Sequence, residues 1–302
     1  MSSELSVIVP TIGRQDLLNA TLDSLIAAGA ATADVEVVVV DNSRDGDLVN
    51  RAVFEDMFRV LPRLRVMHEP KPGPASARNA GAAATTGEWI AFIDDDLAVA
   101  PGWLNGLRSV FRVGKTDALV GRILPRFQED PPAWLDRGEW GALGLLDAGE
   151  TPLAIDAASP MCMMAGNFVV RRSLFVSQGG YDTELQRSED HELTLRLIAA
   201  GARCEYRPEA TVFSVIVPER MTARYHKRWH LLHGYYSQIL HRRHPLPVKH
   251  VGVVPRFMLR EAARLWAPTR GRYELRRQFE RAYYRGYARA VLGLDPPNPR
   301  LL

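Results

Sequence analysis

Short apolar runs alternate with amphipathic stretches over residues 1–97. The apolar runs are rich in β-branched residues and lack polar alternation, which is typical of strands covered on both faces. They predict strands at Leu5–Pro10, Val35–Val40, Leu64–His68 and Trp89–Ile93, with helices at 14–29, Gly46–Val60 and Ser76–Thr85. This order of elements predicts an α/β fold with a mainly parallel, doubly wound sheet.

The rest of the chain is less regular. Residues 121–160 are rich in Pro, Gly and Trp and predict an irregular insert over one face of the sheet. Further strands are predicted at Met161–Arg171, Cys204–Arg207 and Thr211–Val217, and a helix at Glu189–Ala200. After Pro218 the pattern is helical to about Leu294. We therefore expect one α/β domain over 1–219 and a helical extension over 220–302 packed on it.

The composition is that of a globular protein. Of 302 residues, 46% are hydrophobic and 24% are charged, which excludes a disordered or collagen-like chain. Two cysteines are too few for a disulfide framework and favour a reducing compartment. The N-terminus lacks the pattern of a signal peptide, and no apolar window is long enough to span a membrane. We expect a soluble cytoplasmic protein.

Charge is distributed unevenly along the chain. Residues 1–219 hold 20 Lys and Arg against 31 Asp and Glu, a net charge of −11. Residues 220–290 hold 17 Lys and Arg against 3 Glu, a net charge of +14. Such a basic segment suits an anionic membrane, a nucleic acid or an anionic substrate. It equally suits a solvated helical face that docks on the acidic body, and the charges alone leave these alternatives open.

Polar side chains follow the predicted strands at their carboxyl ends, where open parallel sheets bind ligands. The segments are Pro10–Arg14 after the first strand, Asp41–Ser43 after the second, and Asp94–Asp96 after the fourth, while Arg78-Asn79 lies on the helix before the fourth. Three adjacent carboxylates repel one another unless a cation is present. A hard divalent cation such as Mg²⁺ or Mn²⁺ would relieve that repulsion, and it commonly bridges to a substrate diphosphate. The alternative is a solvent-exposed acidic turn.

A second acidic pair, Glu189-Asp190, opens a predicted helix. Carboxylates at a helix start are favoured by the helix dipole, which is one explanation for the pair. The other is that one of the two acts as a general base. The G-x-G-x-x-G and G-x-x-x-x-G-K-[ST] patterns are absent from the sequence, which argues against a dinucleotide-dependent dehydrogenase and a P-loop nucleotidase.

Taken together, six segments resemble family 2 glycosyltransferases with the GT-A fold, over about Leu5–Pro218. The segments are SVIVPTIGR, VVVVDNS, GPASARNAG, EWIAFIDDDL, GNFVVRRSLF and GGYDTELQRSEDHELTLRLIAAG. The resemblance implies a nucleotide-binding half over 1–97 and an acceptor-binding half over 98–219. It implies inverting transfer of a sugar from a nucleotide-diphosphate sugar, with a UDP-sugar favoured, to a hydroxyl of a glycan or lipid-linked saccharide. A hexosyltransferase of polysaccharide biosynthesis would fit this description.

The resemblance also implies roles for individual residues. The residues that would bind the nucleotide or donor are Pro10, Thr11, Arg14, Asp41, Arg78, Asp94, Asp95 and Asn167. Asp96, with Asp94, would hold Mn²⁺ or Mg²⁺ in a DxD-type motif. Asp190 would be the general base, with Glu189 and His191 beside it. A bound cation would stabilise the charge of the leaving diphosphate. The base would take the proton of the acceptor hydroxyl.

Two tryptophans lie in the segment where related enzymes bind the acceptor. Trp134 and Trp140 suit the apolar face of a sugar. Packing of an irregular loop explains them equally well. His191, beside the predicted base, is a further candidate for acceptor contact.

One position departs from the family pattern. Many members carry a metal-binding His where this chain has Ser214. Either Asp96, the diphosphate and water hold the metal, or a later His substitutes. His226, His230 and His233 share one face of a predicted helix, although packed or solvated histidines are the simpler interpretation.

The basic C-terminal segment interleaves Arg with Tyr and Trp at helical spacing, which suits an interfacial helix on anionic lipid. We expect a cytoplasmic protein with peripheral contact at the inner face of the membrane through 220–290, and no nucleic-acid partner, since no recognised binding motif is present. Two alternative functions remain. One is a nucleotidyltransferase, which would require a glycine-rich loop after the first strand. The other is a catalytically silent sugar- or nucleotide-binding protein of the same fold.

Overall fold

The computed structural model describes residues 4–46, 54–244 and 272–297. It divides into two compact units, which we call the sheet unit (1–128 and 143–216) and the helical unit (129–142 and 217–302). Residues 129–142 were expected in the acceptor-binding half, but they group with the C-terminal helices. The packing of residues 220–302 on the α/β domain stays a prediction.

The first half of the sheet unit is parallel, as predicted. Its strands are β1 (Leu5–Thr11), β2 (Val35–Asp41), β3 (Leu64–His68) and β4 (Trp89–Ile93), and its helices are α1 (Gln15–Ala27), α2 (Glu55–Val60) and α3 (Pro74–Ala84). β1 pairs in parallel with β2 and with β4, and β2 pairs in parallel with β3. The helix predicted over Gly46–Val60 begins at Glu55, and residues 47–53 lie outside the described residues.

The second half of the sheet is mixed. Its strands are β5 (Leu97–Val99), β6 (Ala118–Phe127), β7 (Leu153–Ile155), β8 (Asn167–Arg171) and β9 (Cys204–Ile216), with helices α4 (Trp103–Val113), α5 (Trp140–Leu143), α6 (Arg172–Ser177) and α7 (Glu189–Ala199). Among the described residues the sheet order is β3-β2-β1-β4-β8-β6-β9-β5, with β7 on β9. β6 and β9 are parallel, whereas β8, β5 and β7 pair antiparallel with their neighbours.

Three predictions in this half are wrong in their bounds. Residues 121–127 continue strand β6 rather than starting an irregular insert, because β6 pairs with β9 along its whole length. Residues 161–166 are a loop, so β8 begins only at Asn167. The two short strands predicted over 204–217 are one continuous strand, since β9 runs through Pro208.

The core lies on both faces of β4, all five residues of which are buried. On one face, Phe92 packs against Phe168, Phe175 and Tyr181, with ring centroids 5.3–6.0 Å apart. On the other, Trp89 stacks on Phe111 at 4.4 Å. A strand buried on both faces has no polar alternation, which is why its sequence predicts it so well.

The helical unit is built on two long helices, α8 (Ala223–Arg243) and α9 (Arg272–Val291). Two glycines allow their backbones to touch. A Cβ atom on Gly234 would lie 1.9 Å from the carbonyl oxygen of Tyr283, and one on Gly286 would lie 1.8 Å from that of Leu231. Of the helices in the described residues, none has the length and apolar character needed to cross a membrane.

Close packing of α3 on the sheet gives a test of the fold. A Cβ atom on Gly81 would lie 2.5 Å from Cγ2 of Ile8 and 3.0 Å from Cγ2 of Val40. Gly81→Ala should therefore lower the free energy of unfolding by about 1–3 kcal/mol through overpacking, as measured by urea denaturation. Gly102→Ala is the matched control, because nothing lies within 4 Å of its added Cβ. Equal effects of the two substitutions would contradict the packing described here.

Candidate active site

The turn after β4, Asp94–Asp96, which we call the acid turn, is bound by the loop after β1. Oγ1 of Thr11 donates to Oδ2 of Asp95 over 2.5 Å. The Arg14 guanidinium pairs closely with Asp95 and reaches Oδ2 of Asp96 at 3.2 Å. The side chain of Asp95 is 2% exposed, so its contacts are to the protein itself. These bonds join two loops that follow neighbouring parallel strands.

Arg78 joins the acid turn to the second acidic pair. Its Nη2 donates to Oδ1 of Asp94 over 2.7 Å, and its Nη1 donates to Oε1 of Glu189 over 3.1 Å. Arg78 is 5% exposed. Burial works against its charge, but the carboxylates of Asp94 and Glu189 outweigh burial and hold the pKa of Arg78 above its ordinary value. Two clusters that are separate in sequence therefore form one site.

Arginines thus supply cations that the acid turn needs. Arg14 pairs with Asp95 and Asp96, and Arg78 pairs with Asp94. The repulsion among three carboxylates, which pointed to a metal in the sequence, therefore does not by itself require one.

The second acidic pair begins α7 at a strained turn. Ser188, just before Glu189, has φ +64°, a left-handed conformation that non-glycine residues rarely adopt outside functional sites. Burial raises the pKa of Glu189, and the neighbouring Asp190 charge raises it further against the opposing effect of Arg78. Oδ1 of Asp190 accepts from the backbone N–H of His191 over 2.8 Å. Asp190 is partly exposed, so its carboxylate is within reach of a ligand.

Sequence analysis missed Cys162, which lies beside Asp190. Burial raises the pKa of the Cys162 thiol well above its usual value, and the charges of Asp190 and Glu189 act in the same direction. The thiol is therefore protonated at neutral pH. Its surroundings, Met161, Met163 and Met164, carry no signal for this contact, because they resemble ordinary core sequence.

Tyr181 was also missed. Its ring lies beneath the Arg78 guanidinium, 5.7 Å from ring centroid to Cζ, and Asn79 binds both its backbone N–H and its carbonyl oxygen. The Tyr181 hydroxyl is buried and accepts or donates no hydrogen bond among the described residues. The Gly179-Gly180-Tyr181-Asp182 segment was the available signal, since both glycines have positive φ and turn the chain into the site.

Asp41 and Asn42 organise the neighbouring loops. Asp41 is fully buried, and its Oδ1 accepts from the backbone N–H of Ser43 over 2.8 Å. The Asn42 amide binds the carbonyl oxygen of Glu69 and the backbone N–H of Gly73, at 2.7 and 2.8 Å. Asn42 thereby holds the loop that leads into α3 and Arg78. The predicted contact of Asp41 with a base, like that of Pro10 and Thr11, stays a prediction.

Asn167 is fully buried and binds the protein on every side. Its Oδ1 accepts from the Trp103 indole over 3.2 Å, and its Nδ2 donates to the carbonyl oxygens of Ala210 and Arg122 over 2.6 and 3.2 Å. It positions β8, β6 and β9 beside the site. Its contact with a donor stays a prediction.

Ser214 is the position at which the sequence departs from the family pattern. It is buried on β9 and pairs in register with Leu97, the residue after Asp96. The departure at this position therefore falls next to the acid turn.

The other acceptor and metal candidates, apart from His191, lie in the helical unit. Trp134 packs edge-on against His226 at 5.0 Å, and Trp140 lies 5.0 Å from the Arg137 guanidinium. Oε2 of Glu139 bonds both to Nδ1 of His226 and to Nε2 of His230, at 2.9 and 3.0 Å. His233 stacks on Trp229 at 4.5 Å. These contacts describe packed aromatic residues, and sugar binding by the tryptophans stays a prediction.

The acid turn offers two carboxylates to a divalent cation. The side chains of Asp94 and Asp96 are 35% and 19% exposed. Mg²⁺ is usually held by one or two carboxylates together with substrate phosphates. In the part of the chain that the structure describes, no group of three His, Cys, Asp or Glu side chains is arranged to hold a metal. The partly exposed carboxylates of Asp94 and Asp96 match the ligands that Mg²⁺ takes when phosphates complete its coordination.

Comparison with known proteins is consistent across three kinds of match. Residues 6–177 match the family model described as glycosyl transferase family 2. The chain is 30% identical over 217 residues to the pre-mycofactocin glycosyltransferase of Mycobacterium tuberculosis, covering 69% of this chain and 42% of that protein. It is 26% identical to the succinoglycan biosynthesis protein ExoM of Rhizobium meliloti, covering 68% of this chain and 65% of that one. The chain thus spans less than two thirds of the length of these relatives.

A solved structure supports the fold. The crystal structure of S. aureus TarS 1–349 in complex with UDP matches with a TM-score of 0.56 and 18% identity, covering 97% of this chain and 92% of that one. This likeness confirms the predicted GT-A fold.

The double ion pair of Arg78 can be tested by a mutant cycle. Arg78→Met should lower the free energy of unfolding by about 3–5 kcal/mol, because it leaves the buried carboxylate of Glu189 without its cation. Arg203→Met, which breaks the pair of the exposed Arg203 with Asp117, should have a much smaller effect, because solvent screens that pair. Adding Glu189→Gln to Arg78→Met should recover part of the loss. Strictly additive effects would show that the two side chains do not interact.

Glu139 predicts an acid transition in the helical unit. Burial disfavours its charge, but hydrogen bonds from His226 and His230 outweigh burial and lower its pKa from 4.5 to about 2. The stability that this carboxylate contributes is therefore full above pH 4.5 and is lost as the pH falls toward 2. Glu139→Gln should remove this pH dependence from urea unfolding curves, whereas Glu129→Gln, at an exposed position in the same segment, should leave it. Identical pH profiles for the two variants would contradict the assignment.

Proposed function

Since this chain belongs to glycosyl transferase family 2, we propose that it is an inverting glycosyltransferase. It would move a sugar from a nucleotide-diphosphate sugar, with a UDP-sugar favoured, to a hydroxyl of a glycan or lipid-linked saccharide. One observation carries the proposal: Arg78 binds Asp94 and Glu189 at once, so that the acid turn and the second acidic pair belong to one site. Transfer needs both, one cluster for the donor diphosphate and one for the acceptor proton.

The donor would bind at the carboxyl ends of β1, β2 and β4. Thr11, Arg14 and Asp41 would lie beside the base, with Asp94 or Asp95 near the ribose. Arg78 would face the diphosphate. The UDP complex of TarS, which shares the fold, is the support for uracil as the base.

Asp96 and Asp94 would hold Mn²⁺ or Mg²⁺ together with the donor. The bound cation supplies positive charge to the diphosphate oxygens as the bond to the sugar breaks. Arg14 is a second source of positive charge here, because its side chain is 44% exposed and lies against Asp96. It would compensate the acid turn in the absence of donor.

Asp190 would act as the general base. Its carboxylate takes the proton of the acceptor hydroxyl, whose oxygen bonds to the anomeric carbon on the face opposite the leaving group. The bond from that carbon to the diphosphate oxygen breaks, and its electron pair leaves with the nucleoside diphosphate. The anomeric configuration is therefore inverted. The hydrogen bond from the backbone of His191 orients the carboxylate for this transfer.

The acceptor and the cellular location are argued from relatives and from charge. ExoM is named for succinoglycan biosynthesis, which supports a saccharide acceptor. The net charge of +14 over 220–290 supports peripheral contact with the inner face of the membrane from the cytoplasm, where a lipid-linked acceptor would be found. Part of that segment, 245–271, lies outside the described residues.

Nucleotide binding is the first test. A ligand that binds only the folded protein raises its melting temperature. UDP with Mn²⁺ should raise that of the full chain, and Asp96→Ala should abolish the part of the shift that needs metal. A shift with GDP or dTDP in place of UDP would change the donor and keep the mechanism. No shift with any nucleotide would refute the donor site.

Turnover separates an enzyme from a binding protein. Asp190→Asn should retain the UDP-induced shift but slow UDP release from UDP-sugars by about 10²–10⁴-fold, the usual contribution of a general base. Glu184→Gln, at an exposed position just before α7, should leave both unchanged. If the wild-type chain binds UDP but releases none from a panel of UDP-sugars with saccharide acceptors, the protein is a binding protein of this fold.

A further inference from the structure

The two long helices of the helical unit enclose a basic groove between them. Its volume is ≈ 500 Å³ and it is lined by Arg224, Lys227, Arg228, Leu231, Gln278, Arg281, Ala282 and Arg285. Five of these eight described residues are cationic and none is acidic. The cations come from both helices, three from α8 and two from α9.

The spacing of these cations is unfavourable unless an anion is present. Arg224 and Arg228 are four residues apart on α8, and Arg281 and Arg285 are four residues apart on α9. Like charges at this spacing lie side by side on a helix and destabilise it. In the described part of the chain, Lys227, Arg228 and Arg285 pair with no carboxylate. Three of the five cations that line the groove are therefore without a carboxylate partner among the described residues.

The groove lies beside the point where the two helix backbones cross in contact. The contact of Gly234 with Tyr283, and of Gly286 with Leu231, brings the two backbones together beside it. Leu231 takes part in this contact and also lines the groove, so the crossing and the groove share a wall. The crossing therefore sets the distance between the two backbones that carry these cations.

The lining is amphipathic. Leu231 and Ala282 provide aliphatic surface, and the cations stand around it with Arg228 and Arg285 exposed to solvent. Guanidinium groups bind phosphate oxygens through paired hydrogen bonds, and an aliphatic surface beside them suits a hydrocarbon. A phosphate ester joined to an aliphatic chain has both features.

We propose that the groove between α8 and α9 binds the phosphate group of an anionic membrane lipid, with the lipid's glycerol and first methylenes against Leu231 and Ala282. This inference deepens the membrane contact proposed above and rests on it, but it does not depend on sugar transfer. It assigns lipid recognition to a discrete site rather than to the summed charge of the segment.

Two variants of equal charge separate a site from diffuse charge. The groove variant is Arg228→Gln/Arg285→Gln, and the control is Arg243→Gln/Arg277→Gln, which also removes one cation from each helix but outside the groove. Each is mixed as the full chain with vesicles of phosphatidylglycerol in phosphatidylcholine, or of phosphatidylcholine alone, and binding is measured by sedimentation. Melting temperatures with and without UDP and Mn²⁺ show whether each variant is folded.

The wild-type chain should bind only the anionic vesicles. The groove variant should bind them about thirtyfold more weakly, as expected for loss of two cations that contact the lipid phosphate, and the control less than about threefold more weakly. Equal losses in both variants would overturn the groove site while leaving membrane contact intact. Failure of the wild-type chain to bind anionic vesicles would overturn the membrane contact itself, whereas the nucleotide shift would still report on the proposed transferase.

Two further measurements test whether the groove binds another anion, either pyrophosphate or duplex DNA. If inorganic pyrophosphate raises the melting temperature of the wild-type chain and not of the groove variant, while anionic vesicles are not bound, the site is one for a soluble phosphate and the lipid proposal is wrong. Tighter binding to duplex DNA than to anionic vesicles at the same salt concentration would overturn it as well.

Discussion

The buried guanidinium of Arg78 is the interaction on which the candidate site depends. It reaches the site from α3, and it binds one carboxylate from the turn after β4 and one from the start of α7. Each carboxylate raises the cost of burying the other, and the shared cation offsets that cost for both. Three elements therefore meet at one side chain, and the distance between the carboxylates of Asp94 and Glu189 follows from the reach of a single guanidinium. Burying these charged groups costs free energy, because they leave water. Such a pairing is useful in a site that must hold charge away from water.

The surrounding structure supports this side chain from several directions. Asn42 holds the loop that leads into α3, while Asn79 ties α3 to the backbone of Tyr181, whose ring lies under Arg78. Arg14 repeats the same device on the opposite flank of the acid turn, but from an exposed position. The two arginines thus differ in exposure. The buried Arg78 is a fixed part of the site, whereas the exposed side chain of Arg14 is able to exchange one anion for another.

Much of this arrangement could be predicted from sequence, for a physical reason. Strands buried on both faces leave continuous apolar runs, and parallel strands end at the same edge, so the residues after Pro10, Val40 and Ile93 were expected to meet. The link from Arg78 to Glu189 was not predictable in this way, because no periodicity relates a helix near residue 78 to one that starts 111 residues later. Cys162 was missed because a thiol among methionines resembles core sequence. The grouping of residues 129–142 with the C-terminal helices was not predictable either, because Trp134 packs on residues of α8 and α9 and such a contact leaves no local pattern.

The crossing of α8 and α9 has a consequence for how this part of the protein can change over evolutionary time. At Gly234 and Gly286 each helix presses on a carbonyl oxygen of the other, so neither position has room for even a methyl group. A substitution at one glycine would separate the helices and leave the other glycine facing a gap, where a larger residue would then be preferred. The two positions are therefore subject to a single steric constraint, and a substitution at one is expected to relax the constraint on the other.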